Sequence, residues 1–207
     1  MNIKCFMLEP VDSHARSLRR YATVTDTPCT VPGYEKWYHN AMVPIEDGQG
    51  DGLSGDIFPH DDPRWPKQCA CGYVFKDSDN WQLFTNQHYK RMDTGELVTL
   101  RNAPVGAMWY ADWMSDRRQE SKVTDRTYLG PDDKCLVVMT PGGEWMIDSR
   151  ASNCTMPDDK MHKCWVRHGT PPDVHVDKNG LTCAAGAGSI MAGSYHGFLH
   201  NGYLEGC

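Results

Sequence analysis

Nine cysteines and nine histidines stand in a chain of 207 residues, and their spacing defines the chemistry open to it. The tightest local group is Cys69-Ala70-Cys71-Gly72-Tyr73. Two thiols one residue apart, followed by glycine, suit a knuckle. The glycine lets the backbone double back, so that its amides point at the sulfurs. Zinc takes four nitrogen or sulfur ligands in a tetrahedron. Cys29 and His39 lie upstream and would complete a Cys3His set, with His60 as a competing fourth ligand. The usual knuckle spaces its cysteines by two residues, so the one-residue spacing here is a weaker signal. Free cysteines packed as small apolar groups are the plainer alternative, and a disulfide from Cys29 to one of the pair is a third.

A second group comprises Cys154, His162, Cys164, His168 and Cys183. Residues 162, 164, 166 and 168 would share one face if this segment were a strand. Such a face could carry a metal, a disulfide or a cysteine activated by histidine. A third group, His60-Asp61-Asp62-Pro63-Arg64-Trp65-Pro66, has the residues for metal or acid–base work. A salt-bridged turn with Trp65 filling a pocket explains it more simply, because Asp before Pro is common turn chemistry. Cys5 and Cys207 sit near the two ends and are candidates for an intermolecular disulfide.

The elements that must position these groups read as α+β, mainly β: short strands and hairpins, one principal helix, and long turn-rich loops stapled by metal or disulfides. Nineteen glycines and thirteen prolines favour turns over long helices. Residues 1–24 read as two strands around a polar stretch. Residues 25–72 are irregular, with the Gly-Asp turns of residues 47–52. Asp77-Ser78-Asp79-Asn80 resembles a helix start, and Trp81, Phe84 and His88 recur at helical spacing, which predicts a helix over residues 78–92. A strand follows at 96–100. Pro141-Gly142-Gly143 separates two apolar runs as a hairpin, and Lys178-Asn179-Gly180 signals another. Trp109 and Trp113, four apart, suit core or interface packing better than base stacking. The chain reads as a single domain over 1–207, with the loop 115–133 as the place where a weak division would fall.

Composition narrows the function classes. Charged residues make up 23% and hydrophobic ones 40%, ordinary values for a folded chain. The formal charge of −6 weighs against nucleic acid as a partner. No apolar run reaches the length of a membrane-spanning helix, and the first residues lack the pattern of a secretory signal. Cysteines in this setting read as thiols, metal ligands or both. The run Ala184-Ala185-Gly186-Ala187-Gly188-Ser189 lacks the lysine of a phosphate-binding loop and the spacing of a dinucleotide fingerprint.

Several longer motifs carry a resemblance. Pro28-Cys29, the His60–Pro66 run, the Cys69–Tyr73 run, Gly106-Ala107-Met108-Trp109, Ala151-Ser152-Asn153-Cys154, Cys164-Trp165-Val166-Arg167-His168-Gly169 and the Leu181–Ser189 run are similar to an uncharacterised protein family of tailed bacteriophages and prophages. The resemblance spans nearly the whole chain and implies no activity. It implies a phage origin, and with it a part of the virion or a protein acting in the host cytoplasm. Cys5, Cys135 and Cys207 fall outside the shared motifs. With no complete catalytic motif, the expectation is a structural or interaction protein of a phage particle, capsid-associated or a decoration protein. It would bind other phage structural proteins or itself. The alternatives are a zinc-dependent, hydrolase-like phage enzyme and an inhibitor that binds a host protein.

Overall fold

The structure, a computed structural model, describes residues 2–23, 27–31, 38–45, 58–114, 128–151, 154–159, 162–177 and 189–207. The fold is mainly β. Among the described residues helical backbone is confined to a 3-10 turn at Leu100–Asn102 and to residues 112–114. Among the described residues no helix is long and apolar enough to cross a membrane. Thirteen strands are described: β1 (Asn2–Lys4), β2 (Phe6–Thr23), β3 (Tyr38–Ile45), β4 (Asn80–Arg91), β5 (Leu97–Thr99), β6 (Ala107–Tyr110), β7 (Leu136–Thr140), β8 (Gly143–Met146), β9 (Val166–Thr170), β10 (Asp173–Asp177), β11 (Ile190–Ala192), β12 (Tyr195–His200) and β13 (Tyr203–Gly206). The chain divides into two compact units, one of residues 1–10 and 89–207, the other of residues 11–88. Both boundaries fall inside strands, β2 and β4, rather than in the loop 115–133, of which residues 115–127 lie outside the described set.

In the first unit β1 pairs antiparallel with β13, Ile3 opposite Leu204, and the sheet continues through β12 to β11. The opening residues of β2 run parallel to β6, which pairs with β7, and β7 with β8. Ala107-Met108-Trp109 and Leu136-Val137-Val138 are unbroken apolar runs because both faces of this sheet are covered. Met108, Leu136 and Val138 join one core cluster, while Ala107, Trp109 and Val137 join another. The expected hairpin at 141–143 forms between β7 and β8. Gly142 is required there, since a Cβ at that position would lie 1.8 Å from the Ala192 carbonyl oxygen. The hairpin expected at 178–180 lies outside the described residues. β10, the described strand before that turn, pairs with β9, His175 opposite His168.

In the second unit β3 pairs antiparallel with β2 from Arg16 opposite Ile45 to Thr23 opposite Tyr38. β4 flanks β2 on its other side. The helix expected over 78–92 is therefore corrected to a strand. Trp81 and Leu83, two apart, both pack against the cluster of Leu18, Ile45 and Trp65, whereas Phe84 meets the Arg19 guanidinium. The apparent helical spacing of Trp81, Phe84 and His88 mixes residues from two faces of a strand. Asp79, expected near a helix start, accepts hydrogen bonds from the Lys76 amide and the Tyr73 hydroxyl instead.

Candidate metal centre

Cys29, His39, Cys69 and Cys71 converge in the second unit, with all four ligand atoms within 4.8 Å of one another. Cys29, His39 and Cys69 are buried, and Cys71 is half-buried. His39 is the second residue of β3, fixed by its pairing with Ala22. Cys69 and Cys71 sit on a tight loop closed by a bridge between Gln68 and Val74. Within it the Gly72 amide donates to Cys69 O at 2.9 Å and the Cys69 amide to Tyr73 O at 2.8 Å. Gly72 adopts φ +96°, the left-handed region that glycine enters at little cost. The reversal aims the Tyr73 amide at the Cys71 sulfur, and the Val31 amide does the same for Cys29.

The geometry fits a tetrahedral ion. Metal–sulfur bonds of about 2.3 Å put two sulfurs on a tetrahedral edge of about 3.8 Å. Cys29 Sγ and Cys69 Sγ lie 3.8 Å apart. That spacing is far beyond a disulfide bond, and no disulfide joins any of the eight described cysteines. His39 Nδ1 is 3.1 Å from Cys71 Sγ. An ion between them would widen this edge by about 0.5 Å. His39 Nε2 lies 2.9 Å from the Thr27 carbonyl oxygen, which can only accept a proton, so Nε2 donates and Nδ1 keeps its lone pair for a ligand. The Tyr73 ring stacks on the imidazole at 4.0 Å and fixes its plane.

The thiols differ in their readiness to ionise. Burial pushes Cys29 up to about 11. At Cys71 burial also opposes ionisation, but the Tyr73 amide and the hydrogen-bonding neighbours Cys69, His39 and Cys29 outweigh it and bring the thiol down to about 7. A divalent cation favours thiolate over thiol at every sulfur it binds. The surroundings also point to a staple. This part of the core holds Ala22, Cys29, Cys69 and Phe75, so two of its four buried residues are cysteines.

His60 does not join this set. It stacks on Trp81 at 4.4 Å, with Trp65 edge-on to the same indole. Asp62 forms the expected salt-bridged turn with Arg64 at 2.6 Å, and the Arg64 hydrogen bonds hold its carboxyl at about 2. Trp65 is buried and donates to Pro59 O.

In the first unit Cys154, His162 and Cys164 form a second cluster within 4.8 Å. His168 is separated from it. β9 begins only at Val166, so residues 162–168 are not one strand and the supposed shared face does not exist. His168 is exposed, whereas His162 and Cys164 are buried. Cys183 and residues 184–188 lie outside the described set. Cys5 is 2% exposed, inside the core with Leu199 and Leu204, and burial pushes its thiol up to about 12. A buried thiol held in its neutral form cannot reach a second molecule, so Cys5 is corrected to a core residue. Cys207 is exposed. Trp109 is buried in the core as expected, and Trp113 is exposed.

Sequence reasoning missed the groups that orient the ligands, Thr27 O and the Tyr73 ring. Tyr73 had a signal in its place directly after the knuckle glycine. A backbone carbonyl has none. Comparison with protein-family profiles, with curated proteins and with solved structures finds no match for this chain.

Proposed function

We propose that this chain is a zinc-stabilised structural or interaction protein of a phage particle, with the ion held by Cys29, His39, Cys69 and Cys71. The observation that carries the reading is the four-ligand set itself, with its imidazole tied to Thr27. Four protein ligands fill the tetrahedron and leave no position for substrate, which is the pattern of structural zinc. A unit confined to residues 11–88 is near the size at which one core stops sufficing and a staple is needed. Its described core is split into two small clusters. The phage setting rests on the sequence motifs. The exposed Cys207 supports attachment to a second copy or to another particle protein.

The test has two parts. Zinc measured on the purified chain should fall by one equivalent in Cys69→Ser. Particles purified from a lysate should contain the protein at a fixed copy number. Protein confined to the infected cytosol would move the assignment to the host-directed inhibitor.

The enzyme alternative has one observation in its favour. Cys154, His162 and Cys164 supply three ligands, the number in a catalytic zinc site. A hydrolytic activity abolished by Cys154→Ala with the fold intact would establish it.

A further inference from the structure

We infer that the first unit holds its own thiophilic divalent cation, zinc by the nature of its ligands, on Cys154, His162 and Cys164, and that this ion fastens one wall of a neighbouring cavity. The inference stands on residues separate from those of the second unit and does not depend on them.

The ligand geometry is that of a metal site. His162 Nε2 lies 3.6 Å from Cys164 Sγ. A nitrogen and a sulfur on adjacent corners of a zinc tetrahedron are about 3.6 Å apart. The Met156 amide donates to Cys154 Sγ at 3.4 Å, the same two-residue amide-to-sulfur pattern seen at Cys71. His162 is 2% exposed, with its ligand nitrogen within 4.8 Å of both sulfurs, and a buried imidazole needs partners for its nitrogens.

The segment that carries these ligands is built to hold them. It is irregular over 154–159, with Met156 exposed, so apolar burial does little to fix it. The Arg150 guanidinium fixes it instead. It donates to the carbonyls of His162 at 2.9 Å, Pro157 at 2.9 Å and Met156 at 3.2 Å, and to that of Asp159. One cation thus gathers four carbonyls from residues that lie between Cys154 and Cys164 in the sequence.

The residues flanking this segment line a cavity of about 800 Å³, whose walls include Trp145, Ser149, Arg150, Ala151, Trp165 and His196. Ser149 O accepts the amides of Cys164 and Trp165, and Ala151 O accepts the amide of Cys154. Each cysteine is one backbone hydrogen bond from the cavity wall. Trp165 follows Cys164 directly and packs edge-on against Trp145 at 5.8 Å. An ion on Cys164 therefore acts on the indole next to it.

The experiment is zinc titration of the full chain, reading bound metal and tryptophan emission together. Two equivalents per chain are expected. Cys154→Ser and His162→Ala should each lose one and keep the other, while Cys29→Ser loses the complementary one. Filling of the first-unit site should shift the emission, and Trp165→Phe should bind both ions with that shift removed. Should His162→Ala fail to fold, His162→Cys keeps a ligand and should retain both equivalents. Zinc content unchanged by Cys154→Ser would overturn the inference. So would a peptide map joining Cys154 to Cys164 by a disulfide, with zinc content unaffected by reduction. A chain that binds only the Cys154-dependent equivalent, with zinc content unchanged by Cys29→Ser, would overturn only the proposal for the second unit.

Discussion

His39 donates its Nε2 proton to the Thr27 carbonyl across 2.9 Å, and this bond decides which nitrogen faces the thiols. Nδ1 is left as the ligand atom, 3.1 Å from Cys71 Sγ. A backbone carbonyl cannot be removed by side-chain mutation, so the tautomer is built into the chain path. Loss of the ring should be costly, while a thiol at the same place should substitute as a fourth ligand. We expect His39→Ala to lower zinc affinity by more than the 10–100-fold typical of removing an outer-shell partner. His39→Cys should keep most of it. Competition with a chromophoric chelator measures both. Equal affinity of His39→Ala and the parent chain would remove His39 from the site.

Two glycines separate conformational cost from steric cost. A Cβ on Gly72 meets only the Gln68 amide nitrogen at 3.8 Å, but its φ is +96°. Gly72→Ala should therefore cost about 1 kcal/mol through backbone strain, and it should weaken zinc binding because the amides no longer point at the sulfurs. Gly142 has the reverse problem, with the Ala192 carbonyl in the way. Gly142→Ala should cost about 3 kcal/mol and leave zinc binding alone. Urea denaturation beside zinc titration checks both. A Gly72→Ala chain that binds zinc as tightly as the parent would count against the knuckle.

The knuckle was legible because its chemistry is local. Two cysteines, a glycine and an aromatic residue within five positions carry their own geometry, and His39 needed only a short upstream search. The Arg150 clamp was not legible, since guanidinium-to-carbonyl bonds leave no pattern in residue types. The mainly β character followed from turns and hairpins of short range, as at Pro141–Gly143. The long pairings did not. Nothing in Asn2–Lys4 announces that it meets Tyr203–Gly206 at the far end of the chain. β4 was misread because three large residues at helical spacing outweighed the two-residue alternation of Trp81 and Leu83. Long partners such as β2 override that local preference. His168 was misassigned for a related reason: alternation was extended through residues that precede the strand.

Two carboxylates should drive pH dependence in opposite directions. Burial raises Asp148 above the usual carboxylate value, against the pull of Arg167, its backbone amide and Lys163, while Asp132 adds to the rise. The folded state then holds a proton that the unfolded state releases. The stability Asp148 contributes is complete below the unfolded value and is lost as pH rises through the raised one. Asp62, lowered to about 2 by Arg64, behaves oppositely, with its contribution present above the unfolded value and lost as pH falls toward 2. Relative to Asp148→Asn, the parent should lose stability as pH rises above about 4. Relative to Asp62→Asn, it should gain stability between about 2 and 4. Urea midpoints taken across this range test both signs. A parent that gains on Asp148→Asn with rising pH would show that the Arg167 pairing outweighs burial.

The two terminal cysteines should behave differently under oxidation. Cys207 is exposed, and its amide is bonded to His196 O at 3.1 Å, which holds the last residue against β12 with its side chain accessible. Cys5 is 2% exposed and its thiol is pushed up to about 12, so neither access nor thiolate is available near neutral pH. Among the described cysteines Cys207 is the exposed one, so mild oxidation should yield a covalent dimer through it. Cys207→Ser should abolish the dimer, and Cys5→Ser should leave its yield unchanged while lowering stability through the altered core. Intact mass before and after reductant, with thermal melts of both variants, measures each effect. A dimer that survives Cys207→Ser and disappears in Cys5→Ser would mean that the β1–β13 edge opens in solution, and that the accessible thiol is the one the fold buries.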